Sequence, residues 1–270
     1  MMKLQVLIAS MHQKDFSKVE AMNLSSDAII ANQADTNAYE ERKYPFGIVR
    51  MITTPQRGVG KNRNTALDLA DGDILLLADD DIQYVDDYAQ LITEEFSKNP
   101  QADAIIFNIT TLGESTYRRQ NTNRERIRLY NALNYGAVRI AVRREKLERT
   151  GIRFSLNFGG GALYSAGEDT LFIFEMIRKG FRIFTSPIVI ATVDQTSSTW
   201  FTGYNHKYFY DKGASFRALF GKLAYIYAAQ DYLRHRNEYK KSQLSAKEAI
   251  LDIKDGIKGY KTFTPYTDKQ

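Results

Sequence analysis

The run Ile74-Leu75-Leu76-Leu77 is apolar at every position and passes through Ala78 into three consecutive acids, Asp79-Asp80-Asp81. A strand with one wet face alternates apolar and polar residues, whereas a strand that is apolar throughout must be covered on both faces. Helices above and below a mainly parallel sheet meet that requirement. The rest of the first half keeps the same rhythm. Residues 4–9, 27–31, 48–52 and 104–109 read as strands, and residues 15–24, 61–70 and 88–97 carry helical spacing between them. Farther on, residues 124–133 read as a helix, 137–142 as a strand, 171–178 as a helix closed by Gly180, and 183–193 as a strand interrupted at Pro187. From Phe220 onward, Leu223, Ile226 and Leu233 predict one long amphipathic helix. Arg234, Arg236, Lys240 and Lys241 stand at its end, where cations suit the helix dipole.

The three acids are the most informative motif. Adjacent carboxylates repel one another, and the end of a buried strand adds a desolvation cost, so the arrangement is expensive without a cation. A hard divalent ion such as Mg²⁺ or Mn²⁺ takes one or two carboxylates together with phosphate oxygens. Ligands of open α/β sheets also bind beyond the carboxyl ends of the strands. The plainer reading is an acidic turn capping the next helix, but Asp86 and Asp87 already stand where that cap belongs. A second motif, Arg57-Gly58-Val59-Gly60-Lys61-Asn62-Arg63-Asn64, is a glycine loop entering a helix. Its glycines admit close backbone approach, and its cations and helix start favour an anion. It is neither a Walker sequence nor a dinucleotide fingerprint. A third, Gly159-Gly160-Gly161 followed by Glu168-Asp169, sets an acidic pair at a helix start. Such a pair can cap the helix, or act as a general base on an acceptor hydroxyl.

Composition narrows the class. With no cysteine, disulfides, zinc–thiolate sites and thiol nucleophiles are excluded. The Met1-Met2-Lys3-Leu4 start runs straight into a strand, and no apolar run is long enough to span a bilayer, so we expect no signal peptide and a cytoplasmic, soluble or peripheral protein. The net charge is +5, unevenly spread. Residues 117–153 hold ten Arg and one Lys against three Glu, and residues 206–270 hold ten Lys and three Arg against seven acids. Such segments suit diphosphate groups, the inner face of an anionic membrane or nucleic acid, although solvated helix faces account for most charges of this kind.

In combination and in order, these motifs resemble the family 2 glycosyltransferases: an opening strand, a Gly and Arg-Asn loop, an Asp motif after a buried strand, and a Gly-Glu-Asp motif farther on. Asp27-Ala28-Ile29-Ile30-Ala31-Asn32-Gln33, Arg57-Gly58 and Ala78-Asp79-Asp80-Asp81 look like a bacterial capsule and exopolysaccharide subgroup. The resemblance implies a GT-A nucleotide-diphospho-sugar transferase fold, α/β with a mainly parallel central sheet flanked by helices and a C-terminal helical extension. It implies a catalytic domain over residues 1–205, with a nucleotide-sugar half (1–110) and an acceptor half (111–205), and a basic helical extension over 206–270.

The same resemblance implies an inverting, metal-dependent hexosyltransferase of polysaccharide biosynthesis, using Mn²⁺ or Mg²⁺ and a nucleotide-sugar, foremost a UDP-sugar, with a glycan or lipid-linked acceptor. Ala9, Ser10 and Met11 with Asn32 and Gln33 would line the nucleoside pocket, and Arg57, Lys61 and Arg63 would stand near base or diphosphate. Asp80 would hold the metal, with Asp81 in support and Asp79 on ribose or metal. The family often writes this motif Asp-x-Asp-Asp, which puts Ala78 first and leaves the register open. Asp169 matches the catalytic base, with Glu168 adjoining it. His206 is a candidate metal or diphosphate ligand, against a plain surface role, and Trp200 a candidate platform for an acceptor sugar.

Two other classes compete. A sugar nucleotidyltransferase would carry a glycine-rich basic loop after its first strand, where this chain has Ala9-Ser10-Met11-His12-Gln13. A non-catalytic nucleic-acid or membrane-binding module would use the basic segments, but no recognised nucleic-acid motif accompanies them.

Overall fold

A computed structural model describes residues 2–112, 120–194 and 203–260. Its strands are β1 (Leu4–Met11), β2 (Asp27–Gln33), β3 (Ala38–Tyr44), β4 (Gly47–Thr54), β5 (Ile74–Asp79), β6 (Ile82–Tyr84), β7 (Ala104–Leu112), β8 (Arg126–Ile127), β9 (Ile140–Arg143) and β10 (Ile183–Asp194). Its helices are α1 (Lys18–Ala21), α2 (Val59–Asp68), α3 (Tyr88–Lys98), α4 (Arg144–Thr150), α5 (Glu168–Arg178), α6 (His206–Phe220), α7 (Ala224–Tyr239) and α8 (Ala246–Gly259).

The strands form one mixed sheet in the order β3-β4-β2-β1-β5-β9-β7-β10-β6, with β8 beside β10. The parallel pairing expected from the first half holds across β4-β2-β1-β5 and returns between β7 and β10. Strand β9 runs antiparallel to both neighbours, β5 and β7, and so joins the two parallel blocks. Burial of β5 on both faces is borne out residue by residue. Leu75 and Leu77 pack with Leu67 and Phe172 on one side of the sheet. Leu76 and Ala78 pack with Ile92 and Phe96 on the other. Each large side chain so buried contributes about 1.5–3 kcal/mol. Register then fixes what reaches the sheet edge: Ala9 pairs with Asp79, Ser10 with Asn32 and Met11 with Gln33.

Several local readings are corrected. Strand β3 was not anticipated, because Ala38–Tyr44 is polar and exposed and pairs only along the sheet edge with β4. The helix expected over 15–24 shrinks to α1, preceded by an Asp15 side chain that holds Ser17 N at 2.9 Å and followed by Asn23 at positive φ. The helix expected over 124–133 is instead β8 and a 3₁₀ turn, Ala132–Asn134. Ile127 is buried opposite Ile183, and Asn131 Oδ1 takes the Arg128 N–H at 2.7 Å, so sheet pairing and a side-chain turn displace the helix. The strand expected over 137–142 begins with a 3₁₀ turn, Ala137–Arg139. Helix α4 was not foreseen, and Pro187 bulges β10 without ending it. Asp87 sits at the start of α3 with no side-chain bond to it, and Asp86 instead takes the Asn23 amide at 2.9 Å.

The C-terminal part is three helices, where one was expected. Helices α6 and α8 cross so closely at Gly213 and Gly256 that a Cβ on either would run into the other helix's backbone. Leu223, Ile226 and Leu233 are exposed and make no core. No helix among the described residues is long and apolar enough to cross a membrane.

Candidate active site

Three elements deliver charged groups to one point beyond the carboxyl ends of β1, β2 and β5. Arg63, on the first turns of α2, is at its centre. Its Nη2 donates to Asp79 Oδ1 at 2.9 Å, at the end of β5, and its Nη1 to Asp169 Oδ1 at 2.5 Å and Glu168 Oε1 at 3.4 Å, at the start of α5. The Arg63 side chain is only 5% exposed. Burial alone would weaken its charge, but Asp169, Asp79 and Glu168 outweigh that cost and hold the guanidinium firmly protonated. Burial, then the charge of Asp169, pushes the Glu168 carboxyl from 4.5 up to about 7 against the pull of Arg63.

The acidic pair is not spent on its own helix. Helix α5 starts at Gly167 without a side-chain cap, and Asp169 Oδ2 accepts the backbone N–H of Ala137 at 2.8 Å. Asp169 is thus fixed from two sides, by Arg63 and by the 3₁₀ turn before β9. Glycines make the crowding feasible. A Cβ on Gly159 would press on Glu168 and Val59, and the positive φ of Gly58 and Gly161 lets their loops touch, with Val59 N bonding Gly160 O at 2.9 Å.

At the opposite wall, Asp80 Oδ2 accepts from Ser10 Oγ at 2.5 Å and Gln13 Nε2 at 3.1 Å, while Lys18 Nζ holds the Asp80 carbonyl at 2.9 Å. Asn32 clamps the Gln13 backbone through both ends of its amide, Gln33 Nε2 bonds Gly58 O at 2.8 Å, and Asn62 Nδ2 bonds Ser10 O at 3.0 Å. Asn32 and Gln33 therefore reach the predicted edge but engage its loops. Ala9 is buried in the β1–β5 pairing.

Other predicted residues stand apart from this centre. Arg57 pairs with Asp35 and with the carbonyls of Ala34 and Pro55. Lys61 is exposed on α2, and Asp81 lies in the exposed turn before β6. His206 Nδ1 pairs with Asp252 Oδ2 at 2.8 Å, which engages that ring on α8. Trp200 lies outside the described residues. Sequence reasoning missed Gln13, Lys18 and Asn62. Each is a common polar residue whose only signal is its place after β1 or inside the glycine loop.

The donor set at β5 suits a hard divalent cation. Asp79 and Asp80 are partly exposed, and each engages the protein through one carboxylate oxygen. No group of three His, Cys, Asp or Glu poised to hold a metal occurs among the described residues.

This is an α/β fold of GT-A type, with paired acids facing one another across a buried arginine. The solved S. aureus TarS 1–349, in complex with UDP-GlcNAc, superposes with a TM-score of 0.67 at 12% identity, covering 96% of this chain and 82% of that one. A mannosyltransferase from Pyrobaculum calidifontis, in complex with GDP-Man and Mn²⁺, superposes with a TM-score of 0.53 at 14% identity, covering 94% of this chain and 74% of that one. Curated protein sequences give no significant match. Residues 29–159 match the glycosyl transferase family 2 model.

Proposed function

We propose that the chain transfers a hexosyl group from a nucleotide-sugar to a hydroxyl of a glycan or lipid-linked acceptor, with inversion, in the assembly of a bacterial capsule or exopolysaccharide. The observation that carries this reading is Arg63, which ties a donor-side acid, Asp79, to an acceptor-side acid, Asp169. The UDP-GlcNAc of TarS and the GDP-Man of the mannosyltransferase support a nucleotide-diphospho-sugar as donor, with UDP as the favoured nucleotide.

Asp169 acts as the base. Its two oxygens each use one lone pair, on Arg63 and on Ala137 N, and a carboxylate has others with which to accept the acceptor's hydroxyl proton. The freed oxygen attacks the anomeric carbon from the face opposite the diphosphate. The bond from that carbon to the diphosphate oxygen breaks, and its electron pair leaves with the diphosphate. Asp79 and Asp80 would hold Mn²⁺ or Mg²⁺, which when bound neutralises charge on the diphosphate. Arg63 holds Asp169 in line, and Ser10 and Gln13 hold the Asp80 carboxylate in place. Glu168, buried beside Asp169, limits the charge of the cluster by retaining its proton up to about pH 7.

A thermal-shift screen of UDP, GDP and their sugars, each with and without Mn²⁺, tests this, since a ligand that binds the folded form raises its melting point. The reading expects a UDP-sugar with Mn²⁺ to give the largest rise. No rise with any nucleotide would reject it.

A further inference from the structure

Helix α7 presents an apolar face that nothing in the chain's described residues covers. Ile226 is 65% and Leu233 66% exposed, and Tyr225 and Ala229 lie on the same stripe at helical spacing. The stripe opens into a groove of about 250 Å³ between α7 and α8, closed on the far side by Ile250 and Ile253. Exposed apolar patches rimmed by polar residues mark protein or membrane interaction sites.

The charges around it identify the occupant. Residues 221–259 hold eight Lys and Arg against five acids. Two of those acids are already engaged inside the fold: Asp231 with Lys212, His235 and the Tyr239 hydroxyl, and Asp252 with His206. The cations stay at the rim. Lys222 precedes the stripe, Arg236 and Lys240 follow it on the same helical face, and Lys254 borders the groove; all four are exposed. A second copy of the chain would bring like charges together, because both ends of the stripe are cationic and either helix polarity opposes Lys or Arg to Lys or Arg. An anionic bilayer surface suits both features at once. Apolar side chains enter the acyl boundary while long cationic side chains lie along it and reach the headgroups.

We propose that α7, with the adjoining groove on α8, is a peripheral membrane-docking surface specific for anionic lipid, lying in the headgroup plane without crossing it. This surface contains no residue of the Arg63 cluster, so it can be tested without donor, metal or turnover. Flotation of the full chain would be measured with phosphatidylcholine vesicles, with and without phosphatidylglycerol. Binding is expected to the mixed vesicles, and at least about tenfold more weakly to phosphatidylcholine alone, since each cation near an anionic surface contributes on the order of fivefold. Ile226→Glu with Leu233→Glu should abolish flotation, and Arg236→Glu with Lys240→Glu should remove the preference for phosphatidylglycerol. Melting temperatures should stay unchanged, because these side chains are exposed. The proposal is overturned if the full chain does not float with mixed vesicles, or if both double variants float like the parent. It is equally overturned if sedimentation shows a dimer that Ile226→Glu with Leu233→Glu dissociates.

Discussion

Arg63 and Asp169 are 106 residues apart in the chain and 2.5 Å apart at Nη1 and Oδ1. With the 2.9 Å bond from Nη2 to Asp79, this contact ties the end of β5 to the start of α5. It thereby sets the distance between Asp79 and Asp169, the acids proposed to serve donor and acceptor.

Removing the arginine should cost both stability and catalysis. Arg63→Ala leaves three neighbouring carboxylates without their shared cation, and breaking a buried pair of this kind costs about 3–5 kcal/mol. Chemical denaturation measures that loss. Arg63→Lys keeps the charge but lacks the fork that spans Asp79 and Asp169. It should fold and yet turn over about a hundredfold more slowly, the usual cost of misplaced reacting groups.

Asp80→Asn should separate nucleotide binding from metal. Titration calorimetry of UDP with Mn²⁺ is expected to show at least about a tenfold loss of affinity, as the hard-cation donor set at β5 is reduced. Affinity without Mn²⁺ should change little. Mn²⁺ alone should bind the parent weakly, because no three-ligand group is present among the described residues.

Asp169→Asn should remove the proposed base while preserving shape. Donor affinity should remain within about twofold, and turnover should fall about 10²–10⁴-fold, the range for loss of general acid–base help. Calorimetry that found donor binding lost would assign Asp169 to structure.

Glu168 makes stability pH-dependent. Its folded value of about 7 lies above the ordinary 4.5, so the folded state holds the proton more tightly than the unfolded one. This contribution is fully present below pH 4.5 and is lost as the pH rises through 7. Glu168→Gln should flatten that slope and melt higher than the parent above pH 7. A shift of a few degrees is expected, at about 2–4 °C per kcal/mol for a chain of this size.

The sequence was most legible where one physical requirement acted alone. The unbroken apolar run of β5 could only be a strand covered on both faces, and the acids after it could only lie at the sheet edge. The Gly58 loop and Glu168-Asp169 were visible as separate motifs, but that Arg63 joins them depends on folding and not on spacing. Readings failed where tertiary pairing overrode local pattern. Ile127 was drawn into the sheet out of an apparently helical stretch, and the charged β3 is held by pairing with β4, by the Glu41–Arg50 ion pair and by Arg42 over the Phe16 ring. Leu223, Ile226 and Leu233 were read from periodicity as the apolar face of one long helix, and periodicity marks a shared face without saying what lies against it. Several described arginines of the Arg-rich segment proved structural. Arg143 holds the Ala102 and Phe96 carbonyls, Arg144 the Gly72 carbonyl, and Arg153 pairs with Asp68.

Sugar transfer from a UDP-sugar, followed in Mn²⁺ and again after chelation, tests the central claim most directly. The account predicts turnover that disappears in chelator and returns on adding Mn²⁺. Undiminished turnover in chelator would contradict it.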